Sequence, residues 1–135
     1  MSRLQLALNV DDIEESVAFY TRLFGTEPAK RRPGYANFAI AEPPLKLVLL
    51  ENPGRGGSLN HLGVEGSSAE LATQLARLTE RGFRPDEELN TTCCYAVQDK
   101  FWLTAPDGER WEHYTVLADS DPAPTVDGTA CCATG

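Results

Sequence analysis

At 135 residues the chain is one domain, or two small halves sharing a core. Its formal net charge is −8 and unevenly spread: residues 1–57 hold seven acidic and seven basic side chains, residues 58–135 thirteen and five. That balance argues against nucleic acid, whose phosphates want Lys and Arg, and against an anionic membrane surface.

The run Lys30, Arg31, Arg32 is the one positive cluster in the sequence and reads as solvated surface. No stretch reaches transmembrane length, and nothing at the N-terminus reads as a signal peptide. The expected location is the cytoplasm, where thiols stay reduced.

The first element is LQLALNV, residues 4–10, a strand with Gln5, Ala7 and Asn9 on one face and Leu4, Leu6 and Leu8 on the other. Asp12 and Glu15 then form a capping-box pattern, and Ile13, Val17, Tyr20 and Phe24 recur at helical spacing up to Gly25. YANFAIA and LKLVLLE read as two strands joined at EPP, a turn enforced by two prolines. ENPGRGGS, residues 51–58, is linker.

The order then repeats. LNHLGVE is a strand; Ser67 and Glu70 cap a helix with Leu71, Leu75 and Leu78 on its apolar side, ending at Gly82. DEELNTT reads as a loop, CYAVQDKFWLTAP as one or two strands, PDG as a turn and ERWEHYTVL as the last strand. Each half is strand, helix, then two or three strands, an α+β pattern that could close a curved sheet around a ligand cleft. The two modules cover about residues 1–52 and 58–118. Residues 119–135, poor in anything to bury, read as a flexible tail.

All four cysteines fall in two adjacent pairs, Cys93–Cys94 and Cys131–Cys132. Neighbouring cysteines make a strained bridge, which argues against a secreted disulfide framework. Two thiolates side by side form a claw for a soft atom, a trivalent metalloid or a soft divalent ion. Cys93 and Cys94 could share one atom only where the backbone bends, since strand residues alternate. A buried cysteine with a fortuitous neighbour, or a redox pair, are the other readings. Lys100 lies near enough in sequence to lower a thiol pKa or cover the site, and is equally readable as solvated. Tyr95, Phe101, Trp102 and Trp111 surround the pair in sequence, as core or as pocket lining.

Hard-ligand candidates are fewer. His61 sits in a strand pattern, where a lone histidine is more often core or surface than ligand. Glu112 and His113 face opposite sides of the last strand, so one of them can look into a cleft. A buried Glu112 would need a partner or a metal. Gln5, His61 and Glu112, on three strands, could hold Fe(II), Mn(II), Ni(II) or Zn(II) with positions left open.

The segments LNVDDIEESVAFYTRLFGTEP, LNHLGVE and PDGERWEHY resemble the vicinal oxygen chelate superfamily of glyoxalases, bleomycin-resistance proteins and extradiol dioxygenases. Within it, RRPGYANFAIAEPPLKLVLLENPG and NTTCCYAVQDKFWLTAPDGERWE are similar to the carbon–arsenic lyases and to actinobacterial cadmium-induced proteins. The resemblance implies paired βαβββ modules forming a curved mixed sheet around a metal-binding cleft. It implies Fe(II) on Gln5, His61 and Glu112, with Cys93 and Cys94 binding a trivalent organoarsenical. The activity implied is arsenic detoxification: dioxygen-dependent cleavage of the carbon–arsenic bond of compounds such as methylarsenite, giving arsenite. Unlike the glyoxalases, the chain shows no obvious fourth acidic ligand in LKLVLLE, which argues against methylglyoxal isomerisation.

The alternative is a protein that binds and sequesters cadmium or arsenite without turnover. An antibiotic-binding dimer of the same fold would need neither site. Cys131 and Cys132 are expected to capture arsenicals and relay them to Cys93 and Cys94. The thirteen residues from Ala118 to Ala130 span at most ~43–47 Å, so reach is no obstacle. Substrate preference and oligomeric state stay open at this point.

Overall fold

Alternation in the first strand sets the two faces of the molecule. The structure, a computed structural model, describes residues 2–93 and 95–119. In chain order the elements are β1 (Arg3–Val10), α1 (Ile13–Phe24), β2 (Lys30–Arg32), β3 (Tyr35–Ile40), β4 (Leu45–Glu51), β5 (Leu59–Glu65), α2 (Ser68–Glu80), β6 (Asp86–Cys93), β7 (Ala96–Thr104) and β8 (Arg110–Asp119). The strands form one mixed sheet ordered β2-β3-β4-β1-β5-β8-β7-β6. β1 runs parallel to β4, β5 runs parallel to β8, and β1 and β5 meet antiparallel at the centre. The two βαβββ modules therefore join within one chain, related by a local two-fold between β1 and β5.

On one face, α1 lays Ile13 and Val17 against Val10, Phe38, Leu47 and Leu49. Asp12 starts that helix, its side chain accepting from the Glu15 amide at 3.1 Å, and Gly25 ends it at φ 66°. Ser67 and Glu70 form the full capping box at α2. The opposite face, carrying Gln5, Ala7 and Asn9, is free of helices and becomes the concave side.

Three sequence-based expectations are corrected. Lys30–Arg32 is not merely solvated surface but an edge strand pairing with Tyr35–Asn37. DEELNTT is not a loop but most of β6, with a register shift between Glu88 and Thr91 and Asn90 at φ 52°. Both are outermost strands, where one side stays unpaired and charge guards the edge, so neither shows apolar alternation. β8 also continues through Ala118 to Asp119, pairing with Val97 and Ala96, where the tail was expected to begin. Cys94, Cys131 and Cys132 lie outside the described residues. Among the described residues no helix is long and apolar enough to cross a membrane.

Candidate metal centre

Gln5, His61 and Glu112 come from the three central strands β1, β5 and β8, on the concave face. Sheet register explains their meeting. Gly63 on β5 is paired with Gln5 on one side and with Glu112 on the other. The two side chains flank a residue that has none, and His61 sits one pleat away on the same face. All three are buried. Gln5 Nε2 lies 3.2 Å from His61 Nε2 and 2.9 Å from Glu112 Oε1, and His61 Nε2 lies 3.4 Å from that same oxygen. His61 is therefore neither a surface residue nor an isolated core histidine.

Gly63 was not singled out in the sequence, and its role is spatial. A Cβ there would sit 2.7 Å from the Glu112 carbonyl oxygen and 3.1 Å from Gln5 Nε2. The first contact is backbone of the neighbouring strand, which cannot swing aside. Gly63→Ala is expected to destabilise the fold by ~1–3 kcal/mol, as overpacking does, and to spread Gln5 from Glu112. Thermal unfolding together with Fe(II) titration checks both effects; a variant matching the wild type in the two would contradict the packing.

The register also identifies the fourth corner. Ala7 pairs with His61 and with Val48 as Gly63 pairs with Gln5 and Glu112. The local two-fold thus places Val48 opposite Glu112. A buried valine stands where a fourth ligand would be, so the site is three-sided.

Each polar side-chain atom of the triad has an assigned partner. Lys100, itself buried, donates to Glu112 Oε2, leaving Oε1 to face the centre. Burial pushes the Glu112 carboxyl up; a protonated His61 ring and the Lys100 charge would both pull it below its ordinary value. Of these pulls, the Lys100 charge is the one that does not depend on the protonation of the ring. The Tyr114 hydroxyl donates to Gln5 Oε1, and burial raises that phenol well above its ordinary pKa, so the proton stays. The edge of Trp102 meets the His61 ring at 5.4 Å, with the Arg110 guanidinium stacked 4.6 Å from the Trp102 centroid. His113 faces away from the cleft, stacked on Phe101 at 4.8 Å.

Lys100 thus has Glu112 as a buried partner, a pairing the sequence did not single out. Replacing it by Met would leave a buried carboxylate without its cation. Lys100→Met is expected to destabilise the protein by ~3–5 kcal/mol, read as a shifted urea midpoint; an unchanged midpoint would show the pair is not buried in solution.

A cation fits this cluster. The Gln5 amide hydrogens point at two acceptors, His61 Nε2 and Glu112 Oε1, standing where positive charge would lie. A half-turn of the amide, whose nitrogen and oxygen have nearly the same shape, brings Oε1 into that place. One imidazole, one carboxylate oxygen and one amide oxygen on a single face suit a first-row divalent metal with open positions. No three His, Cys, Asp or Glu side chains converge among the described residues; the triad contains two such groups and an amide.

The cysteine hairpin borders this cleft. Cys93 ends β6 opposite Ala96, and Ala96 and Gln98 line the 270 Å³ cavity that contains the triad. Tyr95 adopts φ 66° and packs against the first-module cluster of Ala7, Tyr35, Val48 and Leu50, its ring 5.1 Å from that of Tyr35. Lys30 Nζ donates to the Tyr95 carbonyl at 2.9 Å, and the Arg32 guanidinium lies 5.5 Å from the Tyr95 ring. Edge strand β2 therefore ties the hairpin down beside the Val48 corner.

The chain and its fold have counterparts. Residues 3–113 match the Glyoxalase/Bleomycin resistance protein/Dioxygenase superfamily, and the chain belongs to it. It is 70% identical over 122 residues to the cadmium-induced protein CadI of Mycobacterium tuberculosis (strain H37Rv), covering 90% of this chain and 80% of that one. It is 58% identical over 134 residues to the trivalent organoarsenical cleaving enzyme of Thermomonospora curvata, covering 98% and 89%. An extradiol ring-cleaving dioxygenase from B. fuscum shares the fold at a TM-score of 0.62 and 18% identity, over 88% of this chain and 34% of that chain.

Proposed function

We propose that this chain is a carbon–arsenic lyase, cleaving trivalent organoarsenicals such as methylarsenite to arsenite with dioxygen and Fe(II). The observation that carries this is the apposition of a three-sided hard-ligand cluster, with Val48 at its fourth corner, and a cysteine-bearing hairpin whose next described residue, Tyr95, packs by its ring on Tyr35 in the cluster that holds that valine. The 58% identity to a protein named for organoarsenical cleavage supports it.

Gln5, His61 and Glu112 would hold the metal. Fe(II) there would supply the one-electron chemistry that lets dioxygen react with a closed-shell carbon–arsenic bond. The residues of the chain do the rest. Cys93 and Cys94 take arsenic as thiolates, filling the two valences that a singly substituted As(III) has left. Held by a tied hairpin, the arsenical meets the cluster in one orientation, which turns a collision into a positioned step. Lys100 keeps Glu112 ionised, and Trp102 and Tyr114 wall the cluster from water. The thiols need a reducing compartment, which favours the cytoplasm. Cys131 and Cys132 would capture and relay arsenicals, and residues 119–135 would be their tether.

A second reading has its own observation. The 70% identity is to a cadmium-induced protein, and thiols alone can sequester a soft ion. Product analysis after incubation with methylarsenite and phenylarsenite, with and without Fe(II), separates the two. Arsenite released only with Fe(II) supports the lyase. Stoichiometric retention of cadmium or the intact arsenical, without product, supports sequestration.

A further inference from the structure

We infer that a chain of side-chain amides, anchored on the backbone of the inter-module linker, fixes the tautomer of His61 and so aims its Nε2 lone pair at the cluster. The metal-directed purpose of this relay rests on the metal-site reading above; the tautomer itself does not.

The polarity can be followed from a group with no choice. The Arg55 carbonyl oxygen can only accept. Ser58 Oγ donates to it at 2.6 Å, so the one hydroxyl proton of Ser58 is spent. Ser58 Oγ must then accept from its other neighbour, Asn9, at 2.9 Å, and the atom of Asn9 facing it must be Nδ2. This places Asn9 Oδ1 on the other side, where it can only accept. Two amides meet it there, Asn52 Nδ2 at 2.7 Å and Asn60 Nδ2 at 2.9 Å. Asn60 therefore turns its nitrogen to Asn9 and its Oδ1 to His61 Nδ1, 2.7 Å away. An amide oxygen at that distance requires a proton on Nδ1.

In the neutral ring Nε2 is then bare. The far side agrees, since the Gln5 amide donates toward Nε2. The Ser58–Arg55 anchor is exposed, but the two bonds that Asn60 makes, to Asn9 and to His61, are buried, so water does not compete for these. A free histidine side chain favours the opposite tautomer, with the proton on Nε2, which would present the cluster with a hydrogen instead of a lone pair. Ser58, Asn9 and Asn60 are thus positioning residues, acting on the metal-facing atom through His61. They also couple the site to the linker that joins the modules, since Asn52, Arg55 and Ser58 all lie within it.

The test uses the full chain labelled with 15N-histidine. The sequence has two histidines, so His61→Gln assigns the spectrum. Long-range 1H–15N correlation on the metal-free protein is expected to show His61 protonated at Nδ1 and bare at Nε2. Asn60→Leu should shift it toward the Nε2–H form and weaken Fe(II) affinity, measured anaerobically, by ~10–100-fold, the usual range for an outer-shell partner. Asn60→Asp keeps an acceptor for Nδ1–H and should restore both readouts, even where it lowers the melting temperature. Ser58→Ala, which frees Asn9 to turn, should give an intermediate tautomer mixture.

Nε2–H in the wild type, or an Asn60→Asp variant as impaired as Asn60→Leu, would overturn the relay. A wild type with Nε2 bare that binds no Fe(II) would sustain the relay and overturn the metal-site reading instead.

Discussion

Replacing His61 by Ala is expected to lower Fe(II) affinity by more than ~100-fold, beyond what loss of an outer-shell partner does, and to abolish arsenite release. The ring is the one nitrogen donor in the cluster, and it bridges what Gln5 and Glu112 alone could not enclose. Asn60 and Trp102 hold its plane, so no nearby side chain can swing in to replace it. Removing it opens a cavity beneath Trp102 but leaves the sheet hydrogen bonds of β5 intact, so the fold should survive. Arsenical binding by the thiols should also survive, since Cys93 belongs to a hairpin tied to the first module through Lys30, Arg32 and Tyr35 rather than to the triad. Isothermal titration with Fe(II) and with phenylarsenite separates the two. Undiminished arsenite release by the variant would show that the triad is not needed for cleavage, whereas unchanged cadmium or arsenical affinity with no arsenite released by wild type or variant would favour sequestration by thiols alone.

The complementary substitution, Cys93→Ser, is expected to reduce carbon–arsenic cleavage to background while leaving Fe(II) affinity within about twofold. One thiolate replaced by a hydroxyl removes half of a chelate whose strength comes from holding arsenic at two points. A serine oxygen is also a hard ligand and a poor match for a soft metalloid. Substrate lost at that step never meets the cluster, however well formed it is. Fe(II) titration and product analysis on the same variant check it. Retained cleavage at saturating arsenical would show that Cys93 is dispensable, and parallel loss of Fe(II) binding would place it in the metal centre instead. With His61→Ala, the pair dissects the site into a hard half and a soft half, each removable without the other.

Much of this site was legible as local pattern and little of it as geometry. Alternation put Gln5 with Ala7 and Asn9 away from the leucines, and separated Glu112 from His113, because strand periodicity is a property of neighbouring residues. The helix caps at Asp12 and Ser67 were equally local. The meeting of Gln5 with His61 and with Glu112 spans 56 and 107 residues, and depends on β1, β5 and β8 being adjacent, which no local window records.

The same limit hid the partner of Lys100; that LKLVLLE supplies no fourth acidic ligand was already read from the resemblance, and only the register assigns that corner to Val48. Also hidden was Gly63, whose absence of a side chain matters only once Gln5 and Glu112 flank it. Asn60 did leave a trace, as a polar residue beside a strand histidine, and Asn9 shared a face with Gln5. Strands β2 and β6 escaped because edge strands are selected for charge and not for apolar rhythm.

The central claim is that two reactants, an arsenical on thiols and dioxygen at a metal, meet in one cleft. Its most direct measurement is an assay of Fe(II)-loaded protein with methylarsenite, run in air and under strict exclusion of oxygen, with arsenite quantified in both. The account predicts stoichiometric or greater arsenite in air and none without oxygen, recovered when air is readmitted. Equal arsenite in the two arms would contradict it.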